Sequence, residues 1–335
     1  MRIVLDAMGT DNHPVPDVEG AVLAAREWGD EIILVGDEAR IRAELGKYDV
    51  RGLRLEIVHA GQVIAMDEEP ARAARVKKDA SMRVGMDLVR DGRADAFVSA
   101  GNTGGVLAVA TLYSLKRIPG VQRPALTTIL PVMNGRVVLL DIGANADCKP
   151  SYLYQFGVMG SIYAERVLGC TSPRVALLSN GEEPGKGNTL VKEAFALLRD
   201  SSLNFIGNVE GKEMIAGEAD VVVTDGFTGN VVLKTIEAVA KMLNELIRVE
   251  VTANPLTMVG GLLAKPAFRR VARRIDPFEI GGAPLLGVNG VVIIAHGRSN
   301  GRAVKNAIGQ ARRAVEGRIL DAIQEGLAAF AHRGT

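Results

Sequence analysis

Residues 96–110 read AFVSAGNTGGVLAVA. No charge falls between Asp95 and Lys116, and that length alone raises the question of a membrane span. A span would put Ser99, Asn102, Thr103 and the helix-breaking Gly101, Gly104 and Gly105 in hydrocarbon, where backbone groups find no water. A buried strand over Ala96–Val98, a glycine-rich turn over Ser99–Gly105 and a helix behind it satisfy the same residues without that cost.

The same unit recurs along the chain. Short β-branched runs stand at Ile3–Leu5, Ile32–Val35, Leu53–Val58, Ala96–Val98, Leu126–Leu130, Val137–Leu140, Val175–Leu178, Asn204–Ile206, Val221–Val223 and Val291–Ala295. Helical patterns fall at about 17–28, 80–90, 104–115, 152–168, 188–199, 229–250 and 301–330. Continuous apolar strands separated by helices predict a mostly parallel sheet covered on both faces, an α/β/α three-layer sandwich. At 335 residues the chain exceeds the size at which single cores stop growing. It is read as one α/β catalytic unit with two subdomains around a cleft, about 1–145 plus 285–335 and about 146–284.

Composition excludes several classes. A net charge of +1 gives no electrostatic case for nucleic acid, and 4% aromatic residues provide few stacking platforms. Cys148 and Cys170 make no disulfide framework. Asp6 interrupts the one apolar run of the N-terminus, so no signal peptide is read and a cytosolic compartment is expected. The four histidines, at 13, 59, 296 and 332, have no metal-ligand spacing, and no metal or cofactor is expected.

Polar loops follow the strands: DAMGTD (6–11), SAGNTGG (99–105), DIGAN (141–145), SNGEEPGKG (179–187), TDGFTGN (224–230) and AHGRS (295–299). In a parallel sheet these loops share one rim, where ligands bind. Gly and Asn by themselves only make turns. Several of these loops also carry a polar residue that a turn does not need, which favours a site. A Gly-rich turn opening a helix aims amides at one point and suits an oxyanion. No G-x-G-x-x-G follows a strand, which argues against a dinucleotide. GEEPGK (181–186) is one residue short of a P-loop, and Gly187 stands where Ser or Thr would hold magnesium.

DAMGTD, SAGNTGG, DIGANADCKP, NGEEPGKG, NVEG (208–211), DGFTGN, GGAPLLGVNG (281–290) and AHGRS occur in this order. Together they resemble the acyl-ACP:phosphate acyltransferase family of bacterial phospholipid synthesis (PlsX), over essentially the whole chain. Thr10 departs from the pattern, where a second Gly is expected. The resemblance implies attack of orthophosphate on the thioester of a long-chain acyl-acyl carrier protein, giving acyl phosphate. It also implies a homodimer and a fold similar to phosphotransacetylases and isocitrate and isopropylmalate dehydrogenases. Phosphate is itself the nucleophile, with a second pKa of about 6–7, so a strong protein base is not required.

Roles follow on that basis. Lys186, after a flexible Pro-Gly, is expected to bind phosphate or the thioester oxyanion, and Asn230 to donate its amide to the same oxyanion. Asp225 would orient Lys186 or accept a proton, and His296 would protonate the departing thiolate. Ser99, Asn102, Thr103, Gly104 and Gly105 form the expected phosphate cradle. Asp6, Gly9, Asn145, Asn180 and Gly229 would line the rim. Each has a plainer reading as a solvated charge, a helix cap or a turn. Cys148, with no His nearby in sequence, is read as a small buried hydrophobe rather than a nucleophile.

The stretch PARAARVKKDA (70–80) presents Arg72, Arg75, Lys77 and Lys78, a basic face for an acidic carrier or simply a solvated one. Residues 251–275 contain no acid. Leu256, Met258, Val259, Leu262 and Leu263 surround Gly260-Gly261. Pro266 is expected to open a second helix with Phe268, Val271, Ala272 and Ile275 on one face and Arg269, Arg270, Arg273 and Arg274 on the other. This protruding amphipathic hairpin suits the surface of an anionic bilayer or a dimer contact. The expected location is cytoplasmic, peripheral to the inner face of the membrane, with a glycerol-3-phosphate acyltransferase downstream. Two other functions fit the same loops: a phosphotransacetylase acting on short-chain acyl-CoA, and a non-catalytic binder on this fold.

Overall fold

The structure, a computed structural model, describes residues 1–275, 279 and 281–331. The side chains of Ala272, Arg273, Arg274 and Ile275, and all of His332, lie outside the described residues. The strands are β1 (Arg2–Asp6), β2 (Glu31–Gly36), β3 (Leu55–His59), β4 (Ala96–Ser99), β5 (Ala125–Val132), β6 (Gly135–Leu140), β7 (Val175–Leu178), β8 (Phe205–Val209), β9 (Val221–Val223), β10 (Ala283–Leu286) and β11 (Val291–Ile294). The helices are α1 (Val15–Trp28), α2 (Glu38–Leu45), α3 (Pro70–Val76), α4 (Ser81–Arg90), α5 (Thr103–Ala108), which continues as a π-helical turn over Val109–Tyr113, α6 (Pro150–Leu168), α7 (Thr189–Arg199), α8 (Gly211–Ala216), α9 (Gly226–Val251), α10 (Pro255–Ile275), α11 (Gly301–Glu316) and α12 (Ile319–Ala331).

One sheet holds all eleven strands, in the order β3-β2-β1-β4-β11-β10-β5-β6-β9-β7-β8. Side chains alternate between two cores. Ile3, Leu5, Val138 and Leu140 face one layer; Val4, Val137 and Leu139 face the other. Burial on both faces is why the strands read as continuous apolar runs. The first layer is built on α1, α6, α7, α11 and α12. The second includes α4, α5 and its π turn, and the inward side of α9 at Val232, Leu233 and Ile236.

The sheet is two parallel halves running in opposite directions. β3, β2, β1, β4 and β11 are parallel to one another, as are β6, β9, β7 and β8. Between them every pairing is antiparallel: β11 with β10, β10 with β5, β5 with β6. The reversal begins at the hairpin that joins β5 to β6, where Val132 pairs with Gly135 across Met133-Asn134. Gly135, which closes the turn, has φ +128°, a backbone that glycine takes readily. The single rim expected from the sequence is therefore two. Loops 6–11, 99–105 and 295–299 gather at one edge, and loops 141–145, 179–187 and 224–230 at the other.

Smaller differences have local causes. β10 was not expected, because Pro284 interrupts its apolar run; it lies between two antiparallel neighbours. The helix expected over 301–330 breaks at Gly317-Arg318, where Arg318 takes φ +50°. The short α2, α3 and α8 carry too few residues for a clear period. The hairpin is also built differently. α9 ends at Val251, Asn254 accepts a hydrogen bond from the Thr257 amide, and α10 starts at Pro255 and runs unbroken through Pro266. An Asn cap followed by proline in the first turn is a strong helix start, so α10 nucleates upstream of the proline that was expected to open it. The hairpin is α9 against α10, and Gly261 gives the room for Val251 to pack there.

Thr10, the departure from the family pattern, is buried, and its hydroxyl donates to Asp17 in the first turn of α1. Asp17 is fully buried, with its other oxygen unpartnered. Burial pushes its pKa up to about 7, against the Thr10 hydrogen bond. An unfolded Asp ionises near 3.9. Its contribution to stability is therefore complete below about pH 4 and is lost as pH rises through about 7. Asp17→Asn, which keeps an acceptor for Thr10 without the charge, should flatten this slope. Thermal melts should show the variant gaining several degrees over the parent at pH 8 and little or nothing at pH 4.

Candidate active site

At the second edge the sheet order places β6, β9 and β7 side by side, so the loops that follow them are neighbours. Asp141, at the end of β6, is buried and organises this edge. Its Oδ1 accepts from the amides of Leu126 (3.1 Å), Gly143 (3.1 Å) and Ala144 (3.0 Å). Its Oδ2 accepts from the Asn145 amide (2.7 Å) and side chain (2.8 Å). Burial raises its pKa, while these five donors, none of which can take a proton, oppose the shift. Asp141 opens the DIGAN stretch, and residue type alone assigns it no role there.

Asn145 is spent in the same network. Its side chain also donates to the Pro124 carbonyl (2.7 Å), and its own carbonyl accepts from the Gly226 amide (2.8 Å). The start of α9 thus sits directly on the DIGAN loop. A Cβ at Gly226 would lie 2.6 Å from the Asn145 carbonyl, and one at Gly229 would overlap the Asp141 carbonyl. Asp225 caps α9, accepting from the Thr228 amide and hydroxyl, both at 2.8 Å. Asn230 is exposed beside Gly143, and its amide makes no hydrogen bond among the described residues.

The loop after β7 is also held from below. Asn180 accepts from the Gly187 amide (3.0 Å), and Asn208 donates to the Glu183 carbonyl (3.0 Å). The stem of Lys186 lies over Gly181. Its ammonium is exposed and has no acidic partner among the described residues. Lys212 draws Glu182, Glu210 and Glu213 together at 3.0–3.4 Å, offsetting charge that would repel an anion from Lys186. Cys148 is half-buried behind Asn145, and burial followed by the nearby Asp141 charge pushes its thiol up to about 12. It is not a thiolate at neutral pH.

The first edge is a separate construction. Asp6 is buried and accepts from the Ser99 hydroxyl (2.7 Å) and the Met8 amide (3.1 Å). Gly9 packs where a Cβ would lie 2.7 Å from the Ala100 nitrogen. Asn102 caps α5 through the Gly105 amide (3.0 Å) and staples the Ala65 and Met66 carbonyls. A Cβ at Gly104 would meet Pro70 at 2.6 Å, so this glycine serves the seat of α3 on α5. Thr103 is exposed. From β4 to β9 there are five strand spacings, roughly 24 Å at 4.8 Å each. In the cradle expected at 99–105 the side chains of Ser99 and Asn102 are already engaged.

His296 follows β11, at that first edge. Its Nδ1 accepts from the Arg298 amide (3.2 Å). Partial desolvation, then Arg298 and Lys234, lower its pKa, so it is neutral at pH 7. Lys234 stands one turn of α9 beyond Asn230, so this helix passes within electrostatic reach of His296. Of the basic stretch, Arg72, Arg75 and Lys78 are exposed, whereas Lys77 is tied to Glu68 (2.6 Å) and the Val63 carbonyl (2.7 Å). On the hairpin Leu256, Met258, Val259, Leu262, Leu263 and Phe268 are all exposed, Leu256 by 82%. Among the described residues no helix is long and apolar enough to cross a membrane.

This architecture is that of the phosphotransacetylases. A phosphotransacetylase from Streptococcus pyogenes superposes with a TM-score of 0.61 at 20% identity, covering 94% of each chain. A branched-chain phosphotransacylase from Enterococcus faecalis gives 0.58 at 17% identity, covering 94% of this chain and 99% of that one. At such identities the likeness concerns the fold. Sequence goes further: the profile of the family described as "Fatty acid synthesis protein" matches residues 1–321. A phosphate acyltransferase of Syntrophotalea carbinolica is 51% identical over 95% of this chain and 92% of its own. One of Pelotomaculum thermopropionicum is 50% identical over 100% of this chain and 97% of its own. The chain belongs to the fatty acid synthesis protein family, and it is an acyltransferase.

The contacts at glycine separate positions that hold the site together from positions that do not. Gly229→Ala should cost roughly 1–3 kcal/mol or more, because α9 would have to lift from the Asp141 carbonyl. Gly185→Ala, with nothing within 4 Å, should melt with the parent. Urea titration of the two variants distinguishes them. Equal midpoints would remove the close approach of α9 as a determinant of stability.

Proposed function

We propose that the chain transfers a long-chain acyl group from acyl-acyl carrier protein to orthophosphate, giving acyl phosphate for phospholipid synthesis. One observation carries the reading. On an edge where Asp141, Asn145, Asp225 and Asn180 are all engaged, Lys186, in the loop after β7, and Asn230, in the first turns of α9 after the adjacent β9, stand exposed and without a partner among the described residues. The names of the curated relatives and the phosphotransacetylase-like fold support it.

In this mechanism Lys186 holds orthophosphate at the second edge, in place of the cradle expected at 99–105. A phosphate oxygen attacks the thioester carbon. The charge that develops on the carbonyl oxygen is met by the Asn230 amide and the Lys186 ammonium, in a site already organised before substrate arrives. The C–S bond then breaks and the thiolate takes a proton from water. Asp225 and Asn180 are positioning residues, holding α9 and the 179–187 loop. Arg72, Arg75 and Lys78 offer the acidic carrier a basic docking face. The α9–α10 hairpin serves a peripheral contact with the inner face of the membrane, where a glycerol-3-phosphate acyltransferase would take the product, and the exposed length of α9 suits a homodimer.

The second reading, a phosphotransacetylase acting on short-chain acyl-CoA, rests on the fold similarity. Incubation with phosphate and either acyl carrier or acyl-CoA thioester, with hydroxylamine to trap acyl phosphate, separates the two. Hydroxamate from the carrier thioester is expected, and hydroxamate from CoA esters alone would favour the second reading. Lys186→Ala and Asn230→Ala should each lower kcat by roughly 10²–10³ with the fold intact. Gly104→Ala should lower the melting temperature and leave the KM for phosphate unchanged; a large rise in that KM would return phosphate to the first edge. Sedimentation with anionic vesicles should show binding that weakens with salt and is lost in Leu262→Glu/Leu263→Glu. Dissociation of the dimer with vesicle binding unaltered would make the hairpin a subunit contact instead.

A further inference from the structure

A hollow of about 490 Å³ opens beside the DIGAN loop, within the range of small-molecule sites. The helix that begins at Asn102 reaches it from the other edge: Leu107 on α5, with Thr111 and Leu112 of the π turn, forms one wall. Tyr152 at the start of α6 also lines it, as do Ala144 and Asn145, next to the Gly143 that Asn230 abuts. The remaining wall is the segment 117–124, which contributes Arg117, Gln122 and Arg123.

That segment has no regular secondary structure of its own beyond a single bridge, yet it is firmly held. Gln155 of α6 accepts from the Gln122 amide (2.8 Å) and donates to the Gly120 carbonyl (2.9 Å). Ser151 donates to the Gln122 side chain (2.9 Å), and the Ile118 amide donates to the Gly287 carbonyl (3.0 Å). Arg117 donates to the Gln122 carbonyl, and the Arg123 guanidinium lies 6.0 Å from the centre of the Tyr152 ring. Neither arginine has a carboxylate partner among the described residues. Two guanidinium groups on a pinned backbone, lining a hollow with apolar and amide-bonding walls, fit an elongated ligand that carries one phosphate and two amides.

We propose that this hollow seats the 4′-phosphopantetheine arm of the thioester, with Arg117 and Arg123 on its 4′-phosphate and the sulfur end directed past Asn145 towards Asn230. The arm is common to carrier protein and coenzyme A, so the pocket recognises what the two share. The inference rests on the proposed acyl transfer to phosphate, and it identifies where the leaving group lies. Continuity favours it: the Asn145 carbonyl binds the Gly226 amide, and Gly143, two residues before Asn145, abuts Asn230.

The test is Arg117→Ala/Arg123→Ala, with Arg123→Ala alone as the variant that breaks no hydrogen bond within the segment. By calorimetry, wild type should bind free 4′-phosphopantetheine more tightly than pantetheine, and the variants should lose that preference. In turnover, KM for both acyl carrier and acyl-CoA thioesters should rise about tenfold or more in the double variant. KM for orthophosphate, and kcat/KM for an acyl-pantetheine lacking the phosphate, should not change. Equal losses with all three thioesters, or a rise with acyl-CoA alone, would overturn the assignment. Turnover by wild type without any preference for the phosphorylated arm would overturn it and leave acyl transfer standing. A retained preference with no turnover of any thioester would instead reject the transfer reaction and keep the pocket.

Discussion

The Asp141 carboxylate is the point on which the second edge depends. It is buried at the end of β6 and gathers donors from the preceding strand, from its own loop and from Asn145. A buried carboxylate without such partners would cost several kcal/mol. Here the need to satisfy it fixes the path of residues 143–145, and Asn145 in turn fixes the first amide of α9. Gly226 and Gly229 are required because that helix approaches bare backbone. The exposed groups, Lys186 and Asn230, are held by neighbours whose own polar atoms are already bonded.

Much of this was legible in the sequence. Ten strand runs and seven helical patterns located the elements because strands buried on both faces read as unbroken apolar runs. The loops that carry Asp141, Lys186 and Asn230 were found because polar residues at strand ends exceed what a turn needs. What was misread is direction. Asn134-Gly135 is a recognisable hairpin signal, and the turn at Met133-Asn134 sets β6 and its parallel partners against the first half of the sheet. Residue pattern gives strand existence, but orientation is a long-range property. One two-residue turn was enough to divide an expected single rim into two.

Side-chain roles were less legible, for a local reason. Asn102, Asn145, Asn180 and Asp225 have the residue types of a binding site, and each is consumed by a backbone group within its own or an adjacent loop. An Asn that caps and an Asn that waits for substrate look alike until the partner is seen. Arg117 and Arg123 had the opposite difficulty. They stand in a segment with no period, and only the fold brings them to the π turn and the DIGAN loop.

α9 also sets a distance. It is 26 residues long, about 39 Å at 1.5 Å per residue, with Asn230 in its first turns and the α10 crossing at its far end. From Lys241 to Glu250 every residue is exposed, so the distal part stands clear of the sheet as a spacer. The screening length at physiological ionic strength is about 8 Å. A charged surface met by the tip is several screening lengths from Asn230 and cannot alter the electrostatics there through solvent. The far end of the hairpin and the surroundings of Asn230 are insulated from each other by the length of one helix, and each can change in evolution without retuning the other.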